Sequence, residues 1–171
     1  RRTSFESRLD IHNQERGEYT TMSIKTIRWS KASLIKHFRD TVSTSAYLHV
    51  EGEDRSKLKG KVTYGELRID GPVIKQPSSN LYILAVEINI LISSFGQNGN
   101  FYSLDDLVGV FSAAFTNNIG VYKLPENDFV GCYTLDRDGI FPAIFGTVDA
   151  DAKLQQATVE GHYQMQLKTL E

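Results

Sequence analysis

The sequence predicts an α+β domain, a mostly antiparallel sheet of five or more strands with two helices packed on one face. Three observations carry this. Only two stretches, near residues 31–41 and 104–115, place apolar residues at helical spacing. Five or more others alternate, or run β-branched, between clusters of turn residues. Few helices serving many strands is the signature of α+β rather than alternating βα units.

The opening residues 1–22 begin RRTSFESRLDIHNQERGEYTT, polar and charged with no sustained apolar period, and predict an extended or flexible arm. No apolar stretch follows Arg1-Arg2, as a secretory or twin-arginine signal requires. Met22 closes the arm, so either translation starts there or the arm is a true extension. Residues 23–171 then predict a single domain, large enough to bury a real core.

Its first helix is signalled by Ser30 as N-cap and by Trp29 with Leu34 as a hydrophobic staple. Leu34, Ile35, Phe38 and Val42 form its apolar face, and it ends near Thr41 to Ser45. A short strand, Ala46 to Glu51, leads into the charged loop 52–57. A second strand, 61–70, stops at Gly71-Pro72, and 71–77 reads as a connector.

The stretch SSNLYILAVEINILISSF (78–95) is the most hydrophobic in the chain. A membrane helix needs about 20 apolar residues, and Glu87 with Asn89 would sit mid-span. Period two fits instead. Tyr82, Leu84, Val86, Ile88, Ile90 and Ile92 make one apolar row, and the alternate row turns polar at Glu87. A turn-rich loop, 95–101, follows. Ser103-Leu104-Asp105-Asp106 then has the form of a capping box. Leu104, Leu107, Val108, Phe111, Ala114 and Phe115 define an amphipathic helix. Strands are predicted at 119–124, 129–135 and 140–148, with turns at 125–128 and 136–139. The last segment alternates: Ala157, Val159, Gly161, Tyr163, Met165 and Leu167 face one way, while Gln156, Thr158, Glu160, His162, Gln164, Gln166 and Lys168 face the other.

Function classes can be excluded or weighed on chemistry. A net charge of -2 gives no bulk electrostatic case for nucleic-acid binding. Cys132 is the single cysteine, so an internal disulfide and a cysteine zinc finger are out, which suits a reducing compartment. Cys132 lacks the basic neighbours that make a thiol reactive and reads as a core thiol. His49 and Glu51 share one side of a strand, as metal ligands do, but further ligands must come from His12, His37 or His162; a solvated strand end is the simpler reading. Asp136-Arg137-Asp138-Gly139 opens like a calcium loop but has no bidentate Glu at the twelfth position, and reads as a turn. Asp149 and Asp151 read as a solvated turn too. No P-loop, G-x-G-x-x-G or G-x-S-x-G is present. Arg55, Lys57, Lys59 and Lys61 are interleaved with acids and read as a solvated hairpin. The wet face of the last strand is rich in Gln and Thr rather than paired charges. It suits a water-filled lumen or a protein contact, with an ordinary solvent-exposed face as the alternative.

The order of elements now resembles a known family. An opening helix (Ser30 to Thr41), strands ending in Leu67-Arg68-Ile69-Asp70-Gly71-Pro72, the long strand Leu81 to Ile92, a middle helix (Leu104 to Phe115) and a closing alternating strand look like the tail terminator proteins of long-tailed bacteriophages, over residues 23–170. The resemblance lies in element order and strand pattern. It implies a small α+β domain assembled as a hexameric ring that caps the tail tube and joins it to the head or neck. DNA passes through the lumen without sequence-specific binding. Its partners are the tail tube protein and the head/neck connector proteins, and its place is the virion, after synthesis in the host cytoplasm. The family is structural, with no catalytic residues, cofactor or metal to carry over. On this reading Gln156, Thr158, Glu160, His162, Gln164 and Gln166 face the lumen or an interface, and Gly96, Gln97, Asn98 and Gly99 form a loop toward a neighbouring subunit or partner. Related folds serve other head–tail joining roles, and the arm departs from the compact family pattern. The competing expectation is a soluble ligand-binding or hydrolytic domain in which His49, Glu51 and His162 converge across neighbouring strands.

Overall fold

A computed structural model describes residues 25–42, 46–95, 101–123, 125–151 and 153–168, with backbone only for 101–103. Helix α1 covers residues 25–42. It is followed by β1 (Leu48–Val50), a 3-10 turn (Arg55–Leu58), β2 (Thr63–Ser78), β3 (Leu81–Phe95), α2 (Phe101–Ala113), β4 (Asn118–Lys123), β5 (Asp128–Asp149) and β6 (Leu154–Leu167). The six strands form one sheet in the order β1-β2-β3-β6-β5-β4. The α+β class is as predicted, and the sheet is mixed. β1 runs parallel to β2, because the connection through the 3-10 turn is long enough to carry the chain back to the same end. The other four pairings are antiparallel.

The alternation of β3 and β6 decides which side is dry. Leu84, Val86, Ile88, Ile90 and Ile92 of β3 are buried, as are Ala157, Val159, Tyr163, Met165 and Leu167 of β6. Each fully buried Leu or Ile contributes about 1.5–3 kcal/mol. Both helices cover this one face. From α1 come Leu34, Phe38 and Val42, and from α2 Leu104, Val108 and Phe111. The Phe38 ring meets Phe115 edge-on at 5.0 Å, and His37 Nε2 donates to the Ala114 carbonyl at 3.0 Å. Among the described residues no helix is long and apolar enough to cross a membrane.

Several boundaries differ from the sequence reading. Ser30 lies inside α1 rather than capping it: its side chain is fully buried and bonds the Tyr133 hydroxyl at 2.6 Å. A serine that satisfies a buried phenol looks, in sequence, like a cap. Helix α2 starts at Phe101, so Ser103 is within its first turn and no acidic residue lies there. Gly71-Pro72 bends β2 without ending it. The register slips between Asp70 and Val73, and the strand resumes against β3. Gly71 has φ +102, and a Cβ there would lie 2.9 Å from the Ala85 carbonyl oxygen, so glycine is required. Likewise 136–139 is not a reversal. The chain bulges between Leu135 and Ile140 and continues along β6, making β5 a single strand.

Two predictions follow from this packing. A Cβ at Gly161 would stand 2.6 Å from the Phe115 ring. Gly161→Ala is expected to lower stability by about 1–3 kcal/mol, as overpacking does. Pairing it with Phe115→Leu should recover part of the loss in a urea-denaturation double-mutant cycle. The second concerns pH. Burial pushes the Tyr133 phenol up to about 12, with the Ser30 hydrogen bond opposing, and burial likewise raises Tyr163. Both native groups therefore hold their protons longer than the unfolded chain. Their stabilisation is complete below pH ~10, where both states are protonated, and declines above it as the unfolded phenols ionise. Tyrosinate absorbance should show two late-titrating residues and a stability that falls across that window, and Tyr133→Phe should remove one late titration.

Candidate functional site

The face turned away from the helices is polar, and antiparallel pairing sets its layout. β3 and β6 pair without a register break from Tyr82↔Leu167 to Phe95↔Leu154. This places Ser93, Leu91, Asn89, Glu87, Ala85 and Ile83 opposite Gln156, Thr158, Glu160, His162, Gln164 and Gln166 in turn. All six predicted polar residues of β6 therefore share the open face. Gln156 donates to Ser93 Oγ at 3.2 Å, and Gln164 donates to Asp136 Oδ2 at 3.4 Å. Asp70 of β2 is the direct neighbour of Glu87 on its other side. Glu160 Oε1 and His162 Nε2 are 2.8 Å apart, and these two residues with Glu87 offer three ligand atoms that all lie within 4.8 Å of one another. A groove of about 380 Å³ beside them is lined by Asp70, Lys75, Glu87, Asp136, His162 and Gln164.

A second concavity, about 580 Å³, lies at the β1 side of the same face. The loop after β1 builds its wall. Asp54 accepts from the Ser56 hydroxyl at 2.7 Å and the Ser56 N–H at 2.9 Å, capping the 3-10 turn. These bonds to Ser56 lower its pKa. Arg55 then reaches Glu66 at 2.5 Å, and Arg39 of α1 bonds Glu53. That guanidinium holds the Glu53 carboxyl below its ordinary range. Arg68 contacts Asp70 at 2.8 Å and Glu51 at 3.8 Å. His49 is almost fully buried at this wall; its Nδ1 has no hydrogen-bond partner among the described residues and lies 3.9 Å from Glu53 Oε2. The cleft is thus lined by mutually neutralised charges and could receive a small polar molecule.

His49 and Glu51 both line this cleft, and His162 does not. Strand order puts three spacings, about 14 Å, between the strand of His49 and that of His162, and the register adds four residues along β6, about 13 Å. The expected convergence of His49, Glu51 and His162 is not formed, because β2 and β3 separate the two histidines. Gly96, Gln97, Asn98 and Gly99 lie outside the described residues, as does the arm. The basic cluster sits on the 3-10 turn, where Lys57 comes within 3.9 Å of Glu53, and in the following loop, where Lys61 covers the Tyr47 ring at 4.6 Å. Cys132 is half-buried on β5. Glu87 and Asp70, which complete the open-face cluster, are missed by sequence reading. Glu87 marks where β3 turns polar, but only register sets it beside His162.

No family model and no curated protein matches the chain. Sixteen chains of solved structure do. One of them, whose name carries no functional description, aligns with a TM-score of 0.50 at 11% identity, covering 81% of this chain and 94% of its own. At that identity the likeness concerns the fold alone.

The unpartnered His49 nitrogen generates a prediction. If it serves no ligand, replacing it by an apolar side chain of similar size removes a desolvation cost of about 1–3 kcal/mol. His49→Leu should then be neutral or stabilising in urea denaturation, whereas His49→Asn should destabilise.

Proposed function

We propose that this chain is a structural virion protein, a phage tail terminator that forms a ring, capping the tail tube and joining it to the head or neck while DNA passes through the lumen. The observation that carries this reading is the open face of the sheet. It runs the length of β6, is rich in Gln with a Thr, and holds its two nearby arginines against carboxylates: Arg55 on Glu66 and Arg68 on Asp70. Arginines already paired offer little grip to phosphate, so a duplex would slide past such a wall rather than adhere to it. The second support is an unsatisfied edge. β4 pairs with β5 only as far as Thr134, and from Ile140 to Asp149 the described residues show β6 on one side and no strand on the other. Phe141, Ile144, Phe145 and Val148 are each about half exposed along that free half. Long apolar edges invite a neighbouring chain, and ring assembly supplies one. On this reading the protein is not an enzyme, and its partners are its own copies, the tail tube protein and the neck connector.

The cleft at His49 favours a second reading, a soluble ligand-binding or hydrolytic domain acting through His49 and Glu51. The two separate by experiment. On the ring reading, native mass spectrometry at high concentration gives a closed hexamer. Ile144→Asp with Phe145→Asp reduces assembly at least tenfold, while changing stability by no more than ~0.5 kcal/mol per substitution, as exposed positions allow. Alanine at His49, Glu51 and His162 leaves assembly intact. A monomer that also fails to bind purified tail tubes overturns the ring reading, and loss of a ligand or hydrolytic activity on His49→Ala installs the second.

A further inference from the structure

We propose that Glu87, Glu160 and His162 form a binding site for a first-row divalent transition-metal ion, Zn²⁺ being the representative probe. The inference stands independently of the ring. Three observations on the open face carry it.

The first is geometry. The three donor atoms already lie within 4.8 Å of one another. A metal at 2.0–2.2 Å from each needs donors about 3–4 Å apart, so small side-chain rotations suffice. The backbone beneath is set. Glu87 and His162 are direct cross-strand partners, Glu160 is two residues along the same face, and the pairing there has no bulge. Phe141 of β5 flanks the His162 ring at 6.2 Å and limits its swing.

The second is donor chemistry. An imidazole nitrogen with two carboxylate oxygens suits zinc, nickel or cobalt, while magnesium and calcium prefer oxygen alone. The imidazole separates this set from a patch of surface acids. The adjoining groove leaves room for water to complete the coordination shell.

The third is charge. Asp70, Glu87 and His162 lie in one row across three strands, with Glu160 diagonal to Glu87. Like charges on facing strand positions repel. Arg68 is turned to Asp70 at 2.8 Å. A divalent ion held between Glu87 and Glu160 would balance both carboxylates at once. The 2.8 Å contact of His162 with Glu160 engages the nitrogen that the metal would take.

Zn²⁺ titrated calorimetrically into the chelator-stripped full chain at pH 7.5 is the test. One saturable site per chain is expected. Its affinity should fall at least tenfold in His162→Ala and in Glu87→Gln and stay unchanged in His12→Ala. Mg²⁺ should bind at least tenfold more weakly. Circular dichroism of the variants, whose altered side chains sit on the open face, checks that they remain folded. Absence of saturable uptake overturns the proposal. So does wild-type affinity in His162→Ala or Glu87→Gln, or equal affinity for Mg²⁺, which would mark a simple counter-ion of the acids.

Discussion

The close approach of α2 to the sheet is the contact on which the rest of the structure depends. Phe111 and Phe115 rest where β2 and β6 carry glycines; a Cβ at either Gly65 or Gly161 would meet a ring carbon at 2.6 Å. Phe115 also meets Phe38 of α1 and stacks over Tyr163 of β6 at 6.4 Å. Phe115, two residues past the end of α2, therefore ties α1 to the sheet. With both helices committed to that side, no described helix covers the opposite face of β3 and β6, and both concavities open on it.

The uncovered face draws its precision from the strands beneath it. β3 and β6 pair without a slip, while the neighbours on either side absorb irregularity, β2 at Gly71-Pro72 and β5 at residues 136–139. The central ladder is thus the regular part of the sheet, and its flanks carry the register shifts. Surface ion pairs such as Arg55 with Glu66 are worth about 0–1 kcal/mol each. They hold the two arginines of the open face against carboxylates.

The apolar edge of β5 is the other feature that a single copy leaves unresolved. Four large side chains exposed on one half-strand are costly for an isolated chain in water. Lone exposed apolar residues are ordinary, but a row along a free backbone edge combines surface and hydrogen-bonding groups that a neighbour could satisfy together.

Much of this architecture was legible in residue order. Period-two alternation assigned the buried rows of β3 and β6 residue by residue, because the pleat places neighbouring side chains on opposite faces whatever else the chain does. The apolar faces of both helices followed from 3.6-residue periodicity in the same way. Tertiary contact decided the rest. Ser30 is a helix-interior partner of Tyr133 rather than a cap, β1 runs parallel to β2, and β2 and β5 pass through their turn-like residues as bulges. The same holds for the site. The sequence determined that His162 and Glu160 share a wet face, but not that Glu87 stands beside them or that His49 stays apart. Periodicity is a property of one segment and is written locally; register and strand order come from which distant segments bury best against each other, and no local pattern encodes that choice.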